Sequence, residues 1–192
     1  FTKICQSFGM NKETPKASPD ELVVFKGITY KRLTDVPFTG LVEQKWDNGQ
    51  LRLKGTYKDG KKDGFRSRFY PSGQPHRNYS YKNGKSHGVW EWYTKTGLMW
   101  LKESYKNGKS HGVWESYRFY GGQIGQLSWI SNHKNGMMHG VFESYHENGQ
   151  LRIRYTYKNG KQDGVEELYD ENGQLENRLT YKDGKLIKEE KF

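Results

Sequence analysis

Glutamate recurs at one fixed place in this sequence, and a row of carboxylates could carry out acid–base chemistry. Each of five glutamates stands three positions after a glycine: Glu43, Glu91, Glu115, Glu143 and Glu167. Two carboxylates flanking a glycosidic bond could hydrolyse it. Equivalent strands of neighbouring repeats, however, are about 9–10 Å apart, and cross-strand pairing with basic residues is the alternative. We expect this pairing, with Glu167 opposite Arg152 if the intervening hairpin is regular.

Histidine forms a second column, directly before the glycines of three repeats, and regularly spaced histidines suggest a metal site. The positions are His87, His111 and His139, and two other repeats place Asp63 and Asp163 there. Ligands one repeat apart would be separated by about 9–10 Å, whereas a zinc–nitrogen bond is about 2 Å long. We therefore expect these histidines to flank hairpins, and we predict neither a metal site nor a cofactor.

Lysine brackets the Asn-Gly and Asp-Gly dipeptides that recur along the chain. The predicted basic edge comprises Lys58, Lys61, Lys82, Lys85, Lys106, Lys109, Lys134, Lys158 and Lys161. In an antiparallel sheet, turns of one kind fall on the same long edge, so these lysines would form a stripe. The stripe could attract an acidic protein, an anionic membrane surface or nucleic acid. Alternatively, lysine beside a turn only keeps the edge solvated and discourages aggregation.

Tryptophan is concentrated in the middle of the chain, where alternation along the strands places it on one sheet face. The predicted aromatic strip comprises Trp90, Trp92, Trp100, Trp114, Trp129 and Phe142, with Phe119 and Tyr120 from an adjoining insertion. A regular hairpin register would pair Trp90 with Arg77, Trp114 with Leu101, and Trp129 with Phe142. Aromatic side chains in a thin sheet can serve packing alone. They also dominate binding hot spots, which is the functional alternative.

All of these residues are positioned by a repeat with regularly spaced glycines. The anchor glycines are Gly40, Gly64, Gly88, Gly112, Gly140 and Gly164, at spacings of 24, 24, 24, 28 and 24 residues. One turn follows nine residues after each anchor except Gly112, after which the turn glycine is Gly125, and a second turn is centred on Asn-Gly or Asp-Gly in every repeat; such dipeptides favour type I′ hairpins. The long interval reflects a four-residue insertion within Tyr117–Gly125. Insertions in repeat arrays often lie on a functional edge, but a tolerated loop variant is the alternative.

The repeat predicts an all-β fold, in which about six tandem two-strand units form an elongated, twisted single antiparallel sheet. Residues 1–21 contain Pro15 and Pro19 without periodicity and are expected to be a flexible lead-in. Residues 22–39 would hold an N-terminal hairpin, turning at Lys26-Gly27, and the segment leading into the repeats. Residues 40–192 would form the repeat array. No helical spacing of apolar residues occurs.

Composition limits the function classes. The chain of 192 residues has a formal net charge of +10; 15% of its residues are aromatic and only 32% are hydrophobic. This balance suits a thin sheet covered by amphipathic tyrosine and tryptophan. Cys5 is the only cysteine, so neither an internal disulfide nor a thiolate metal cluster is expected. No apolar run is long enough for a membrane span. The compartment stays open: cytoplasm, or periplasm and envelope if a signal peptide preceded Phe1.

Two phrases of the repeat, NGKSHGVWESY and ENGQLRIRYTYKNGKQDG, resemble MORN repeats in the variant form of certain bacterial proteins. The segment Thr29–Gly40 also resembles the lead-in of that group, and the resemblance covers roughly residues 21–185. It departs from the pattern at Pro71–Gly73, at Thr94–Gly97, at the insertion and at His133. The resemblance implies a β-hairpin repeat fold. Proteins of that group are commonly described as toxin–antitoxin antitoxins, and MORN arrays elsewhere are associated with membrane contact, scaffolding and protein binding.

We therefore predict a non-enzymatic binding protein with a macromolecular partner, a toxin or effector being the first choice. It would act as an antitoxin or immunity protein by covering the toxin. The alternative is a peripheral membrane or cell-envelope scaffold that uses the lysine edge. Nucleic acid is the least favoured partner, no small-molecule substrate is expected, and the chain is predicted to be a monomer.

Overall fold

The computed structural model describes residues 14–120 and 123–192, and most of these residues lie in β-strands. Cys5 and the side chains of Tyr120, Gln123 and Ile124 lie outside the described part. A short 3-10 helix spans Pro19–Glu21. The strands are β1 Lys16–Ala17, β2 Leu22–Phe25, β3 Ile28–Lys31, β4 Gly40–Lys45, β5 Leu51–Lys58, β6 Lys61–Phe69, β7 Pro75–Lys82, β8 Lys85–Ser86, β9 Gly88–Tyr93, β10 Met99–Lys106, β11 Lys109–Ser110, β12 Gly112–Tyr120, β13 Gln123–Lys134, β14 Met137–Tyr145, β15 Leu151–Lys158, β16 Lys161–Tyr169, β17 Leu175–Lys182 and β18 Lys185–Lys191.

One sheet of 16 strands runs through the repeats in the order of the chain, β4 to β18, with β1 added beside β4. The pairings are antiparallel, except that β1 runs parallel to β4. The short strands β8 and β11 pair with β7 and β10. Strands β2 and β3 form a separate hairpin whose turn residues, Lys26 and Gly27, have φ of 46° and 77°. The predicted all-β fold, with one large sheet of tandem repeats and an N-terminal hairpin, is confirmed.

The tight hairpins follow from residues that tolerate positive φ. A type I′ turn needs positive φ at both central residues, and asparagine or aspartate before glycine meets that need with little strain. Asn159 and Gly160 have φ of 51° and 81°, and the five equivalent dipeptides behave alike. The lysines on either side, such as Lys158 and Lys161, face each other as the last cross-strand pair before the turn.

Five of the six anchor glycines, all except Gly40, form bulges that shift the register of the tight hairpin before them. Between β15 and β16, Tyr157 pairs with Gln162, but the next pair is Tyr155 with Glu166. Two extra residues therefore lie on β16, around Gly164, which has φ of 123°. A β carbon there would lie 3.3 Å from Thr156 Cβ. Glycine at this position allows both the backbone conformation and the close approach of the opposite strand.

Because of the bulges, the observed cross-strand pairs differ from those expected for a regular hairpin. Glu167 lies opposite Arg154, not Arg152. Trp92 rather than Trp90 lies opposite Arg77. Likewise, Ser116 rather than Trp114 is paired with Leu101, and Ser131 rather than Trp129 is paired with Phe142. Each expected pair is wrong by two residues, and because strand alternation has a period of two, the side chains stay on the predicted faces.

The N-terminal residues cover the first repeat and create the one compact core in the described part of the chain. The core consists of Ala17, Phe38, Val42 and Leu53, each at most 6% exposed. Residues 14–21 were expected to belong to a flexible lead-in. Instead they form β1 and the 3-10 helix, because β1 adds to the edge of β4 and buries Ala17 on the core. This edge strand also satisfies the backbone of Leu41, whose N–H donates to Pro15 O over 2.8 Å.

Hydrogen bonds along both long edges connect each repeat to the next. At the tight hairpins, each glycine N–H donates to a carbonyl of the preceding repeat, for example Gly160 N to Met138 O over 2.9 Å. At the other edge, a turn side chain reaches forward: Asn148 Nδ2 donates to Glu171 O over 2.6 Å, and Trp46 Nε1 donates to Phe69 O over 3.2 Å. The turns are therefore fixed by their neighbours.

No helix in the described residues is long and apolar enough to cross a membrane.

Candidate functional site

The middle repeats place most of the predicted strip on one sheet face, here called the aromatic face. Its members are Tyr79, Tyr81, Trp90, Trp92, Tyr105, Trp114, Trp129, His133, Phe142, Tyr155 and Tyr157. Trp90 is a hub, with Tyr79 and Tyr105 ring centroids at 4.7 and 4.8 Å. Phe142 stacks on Tyr155 at 4.6 Å with 6° between the planes. Edge-to-face and offset pairs of this kind stabilise each other beyond their buried area.

Two of the tryptophans are held rigidly by the strand beside them. Trp90 Nε1 donates to Ser80 O over 3.0 Å, and Trp114 Nε1 donates to Ser104 O over 3.1 Å. The two bonds repeat with the same spacing of ten residues along the chain. Each indole thus has its polar group satisfied within the sheet. The apolar ring surface remains half-buried and oriented, which lowers the entropy cost of binding.

An open depression of about 270 Å³ divides the aromatic face into two ring clusters. Trp114 and His133, whose ring centroids are 4.4 Å apart, line one side, and Trp129 and Phe142 line the other. Ser131 lies in its floor and is only 3% exposed. The small serine between large rings creates the concavity, because the equivalent position in the next repeat holds Tyr155.

Two predicted members of the strip, Trp100 and Phe119, lie apart from these rings. Trp100 sits in a bulge between Met99 and Leu101 and is 37% exposed. Its position belongs to the first-turn edge, where the equivalent His76 stacks on Tyr70 at 4.4 Å. The inserted residues lengthen the β12–β13 hairpin, so that the backbones of Phe119 and Tyr120 pair with Ile124 and Gln123. The Tyr120 side chain is outside the described part.

The tyrosines and the histidine that complete this face are not among the residues predicted from the sequence. Tyr79 and Tyr105 link Trp90, Trp92 and Trp114 into one cluster, Tyr155 stacks on Phe142, and His133 stacks on Trp114. Alternation was a usable signal: Tyr105 precedes its hairpin lysine and lies an even number of residues from Leu101. Counting backwards from each turn would have placed these rings on the tryptophan side.

On the opposite face, the recurrent glutamates form a ladder of hydrogen bonds and ion pairs. Glu143 Oε1 accepts from Arg154 Nε at 2.8 Å, and Glu167 Oε1 accepts from Arg178 Nη2 at 2.9 Å. A tyrosine two residues later donates its hydroxyl to the same carboxylate, as Tyr145 does to Glu143 over 2.6 Å. Burial opposes ionisation of Glu143, but these hydrogen bonds outweigh it and lower its pKa. Burial and the glutamate together raise the pKa of Tyr145 to about 12.

The ladder holds the repeated carboxylates in place for pairing. Lys102 Nζ lies 3.3 Å from Glu115 Oε2, and Lys54 Nζ lies 3.4 Å from Glu43 Oε1. Asn78 replaces the basic residue opposite Glu91 and donates to it over 3.2 Å. The expectation of a repeated structural pairing is therefore confirmed, although the partners differ from those expected in a regular register.

The histidine column occupies the position that receives the next hairpin. His139 Nδ1 accepts from the backbone N–H of Asn159 at 3.4 Å, and Asp63 Oδ2 accepts from that of Asn83 at 2.8 Å. Thr39 Oγ1 plays the same part for Asp59 at 2.8 Å. The expected hairpin-flanking role of this column is thus seen directly at His139. Among residues 14–120 and 123–192, no three His, Cys, Asp or Glu side chains are grouped as metal ligands would be.

The lysine edge lies where the sequence placed it. All nine lysines assigned to it are exposed, and they stand beside the tight hairpins along one long edge. Lys182 also lies on this edge and forms an ion pair with Asp163 over 3.1 Å.

Comparison with protein families supports the repeat unit. A family model described as the MORN repeat variant matches residues 38–59, 138–159 and 162–183. A comparison with curated proteins found no match. Three of the repeats thus match the MORN repeat variant in sequence, and the single sheet of tandem hairpins is consistent with this unit continuing through the array.

Proposed function

We propose that this chain is a non-enzymatic binding protein whose aromatic face takes up a protein partner. The observation that carries the proposal is a sheet face that the described residues leave uncovered beyond the first repeat. Protein domains bury sheet faces against a second layer, and within the described part of the chain Ala17 and Phe38 provide such cover at the first repeat. In the described chain, Trp90, Trp92, Trp114, Trp129 and Phe142 are only half-buried by their neighbours in the same sheet. Contiguous exposed apolar surface of this kind marks interaction sites.

The geometry of the aromatic face supports tight rather than diffuse contact. The indoles of Trp90 and Trp114 are fixed by hydrogen bonds, so little side-chain freedom is lost on binding. The depression beside Trp114 offers a recess for one apolar side chain of the partner. Rigid aromatic anchors around such a recess are the usual composition of an interface hot spot.

A toxin or effector is the partner we favour, with neutralisation by covering its active surface. The support is the resemblance of the repeats to the bacterial MORN-variant group and the matched MORN-variant segments. A rigid sheet face can block a surface without inserting a residue into an active site. The repeated glutamates, which would be the candidates for catalysis, are engaged by tyrosine hydroxyls and basic side chains.

The lysine edge supports a second candidate function, a scaffold on an anionic membrane surface. The observation that supports this second function is the row of exposed lysines along one side of the sheet. Successive hairpins are about 9–10 Å apart, so several lysines could reach one membrane surface together. This attraction is electrostatic, whereas contact through the aromatic face is mainly apolar, and salt therefore separates the two.

The test is affinity capture from a lysate of the source cells at low and at high salt. We expect one stoichiometric protein to survive ionic strength above about 0.15 M, where stripe-driven binding weakens. Its capture should be lost with Trp90→Ala and Trp114→Ala. The matched controls are Val89→Ala and Val113→Ala, which lie on the opposite face of the same strands and are 39% and 38% exposed.

Two outcomes would contradict the proposal. If both tryptophan variants are folded and retain the partner, the aromatic face is not the interface. If capture yields only a salt-labile mixture, and the chain binds vesicles containing anionic lipid but not neutral ones, the scaffold function replaces it. Vesicle binding should then fall when Lys106, Lys109 and Lys134 are replaced by glutamine.

A further inference from the structure

The aromatic face changes character at its N-terminal end, where arginines replace aromatic rings. Arg66 occupies the position held by Trp90 and Trp114 in the next two repeats, and Arg68 occupies that of Trp92. Arg77 lies on the neighbouring strand, and Arg52 lies one strand before them. These four residues, Arg52, Arg66, Arg68 and Arg77, are called the arginine cluster.

The arginine cluster places like charges in direct opposition. Arg68 and Arg77 face each other as a cross-strand pair of β6 and β7. Like charges in that position destabilise a sheet. Among the described residues, neither arginine has a carboxylate within 4.0 Å, although ion pairs are frequent on the opposite face. Arg77 Nε is buried without a hydrogen-bond partner.

Neighbouring basic groups respond to the same concentration of charge. Burial, followed by repulsion from Arg66 and Arg68, lowers the pKa of Lys62. Burial, followed by repulsion from Arg77 and Arg68, lowers the pKa of His76. Lys62 Nζ lies 5.1 Å from the centre of the Tyr81 ring, which brings a fifth cation to the cluster.

The sheet also makes room for this cluster. Gly55 lies opposite Arg66, and a β carbon on Gly55 would be 3.0 Å from Arg66 Cγ. Equivalent positions carry Tyr79 and Tyr155, so a side chain is normally accommodated here. Its absence lets the Arg66 side chain lie across β5, where Nη1 donates to Tyr57 Oη over 3.3 Å.

Arg68 borders an open depression of about 250 Å³, which is also lined by Trp46, Arg52 and His76. The Arg52 guanidinium stacks at 4.5 Å over the Trp46 ring, which holds it beside the opening. Guanidinium groups bind carboxylates in bidentate geometry. The recess thus offers two arginines to one or two carboxylates.

We propose that the arginine cluster binds an acidic segment of the protein partner, an inference that rests on the proposed function of the aromatic face. The cluster continues that face without a gap, since Arg77 lies directly opposite Trp92. Its arginines are spread over three adjacent strands, about 4.8 Å apart, which suits several carboxylates along a peptide better than one compact phosphate. The partner would place aspartate or glutamate side chains here and apolar side chains on the tryptophans.

The direct test uses hexaglutamate as the probe and NMR signals of the arginine Nε–H and tryptophan indole groups as the readout. We expect shifts in the arginine cluster and at Trp92 in the wild-type protein. Arg77→Leu should weaken binding about ten-fold, the effect of losing one charge-assisted contact. Arg152→Leu removes the same charge from an exposed position outside the cluster and should bind like the wild type. Equal binding by the two variants would overturn the inference, as would preference for pyrophosphate over hexaglutamate.

The Tm of the Arg77→Leu variant provides a second readout. A binding role and a structural role for Arg77 predict opposite changes in it. Leucine and isoleucine occupy the equivalent positions as Leu101 and Ile153, so Arg77→Leu introduces a side chain that the sheet already accepts. Removing the repulsion from Arg68 should raise the Tm of the free protein. A lowered Tm would show that Arg77 serves stability and would overturn the inference.

Affinity capture of the partner by the arginine and tryptophan variants distinguishes a failure of this inference from a failure of the proposed function. If Arg77→Leu retains the partner at full strength while Trp114→Ala loses it, the acidic segment is wrong and the aromatic interface stands. If the tryptophan variants retain the partner, the proposed function itself fails.

Discussion

His133 is one substitution in a repeated column that should make the stability of the protein depend on pH. The equivalent residues are tyrosines, for example Tyr105 and Tyr157, and His133 takes their place beside Trp114. Burial against these rings disfavours the charged imidazolium and lowers the pKa of His133 below its ordinary value of 6.5. Its Nδ1 is buried without a hydrogen-bond partner among the described residues, so it gains no compensating bond.

The sign of the effect follows from proton linkage. Because the folded pKa is lower, the unfolded chain binds a proton more readily than the folded one. Stability is therefore complete above about pH 6.5 and falls as the pH drops through that value towards the folded pKa. His133→Tyr should remove this contribution, so the variant should lose less stability than the wild type between pH 7.5 and pH 5.5. Urea unfolding at each pH measures the free energy of unfolding of both proteins. If this free energy changes with pH by the same amount in the variant and the wild type, the protonation of His133 is not linked to folding.

Gly60 and Gly27 show two different reasons for a glycine in a turn, a positive φ and the close approach of a neighbouring segment. Both have positive φ, 72° and 77°, so alanine is strained at either position. A β carbon on Gly27 meets nothing within 4 Å, whereas one on Gly60 meets Ile28 Cγ2 and lies 2.8 Å from Thr29 O. Gly27→Ala should cost about 1–2 kcal/mol.

Gly60→Ala should cost clearly more than Gly27→Ala, because it also pushes the N-terminal hairpin off the first repeat. Gly60 O accepts from Thr29 N and Gly60 N donates to Phe38 O, both over 2.9 Å. Denaturant unfolding of both variants, read by circular dichroism, gives the comparison. Equal losses would mean that the hairpin adapts without cost.

At the scale of the strand and hairpin, most of the architecture could be predicted from the sequence. Asn-Gly and Asp-Gly dipeptides locate the tight turns because few residue pairs accept two positive φ values in succession. The register could not be predicted in the same way, because the expected pairs assume regular hairpins. Gly64, Gly140 and Gly164 are bulges inside β6, β14 and β16, whereas Gly40, Gly88 and Gly112 begin β4, β9 and β12. A glycine flanked on both sides by strand residues is the available signal.

The candidate site was predictable in part for the same reason. A shift of two residues preserves the face, so Trp90, Trp92 and Trp114 were assigned to one face from alternation alone. Trp100 does not belong to this strip, because it directly precedes Leu101, whose side chain lies on the aromatic face, and stands at a bulge. The partner-binding role of these residues stays a prediction.

The edge turns should contribute measurably to repeat cohesion, and Asn148 offers a matched test. Its Nδ2 donates to Glu171 O of the following repeat, while Asn172 occupies the same turn position in the last repeat and bonds Asp170 within its own turn. Asn148→Ala should destabilise the protein by about 0.5–1.5 kcal/mol. Asn172→Ala should cost less, because no bond between repeats is lost. Chemical denaturation measures both, and a larger loss for Asn172→Ala would contradict the role assigned to the edge.

At the scale of the whole molecule, the sheet is a linear series in which each strand contacts its neighbours. The sequence predicts the repeats but not which face is covered, because the covering residues around Ala17 carry no repeat signal of their own. Burial is consequently uneven: Val42 is 1% exposed, whereas Val165, on the opposite face in the last repeat, is 40% exposed. The free energy of unfolding should then be approximately the sum of contributions from each repeat and from the contacts between neighbouring repeats. The N-terminal repeat, which has the buried core, should contribute most.

Truncation tests this one-dimensional organisation. A chain ending at Tyr169 lacks β17 and β18, 23 residues (192 − 169). It should stay folded, because β16 keeps its pairing with β15, and its unfolding enthalpy should fall by about 16 kcal/mol at the usual value per residue. Phe38→Ala deletes no strand but opens the core beside Val42. We expect it to lower the Tm by more than the removal of one side chain normally does. Scanning calorimetry measures the Tm and the unfolding enthalpy of both proteins. Loss of all cooperative unfolding in the truncated chain would show that the sheet folds as one indivisible unit.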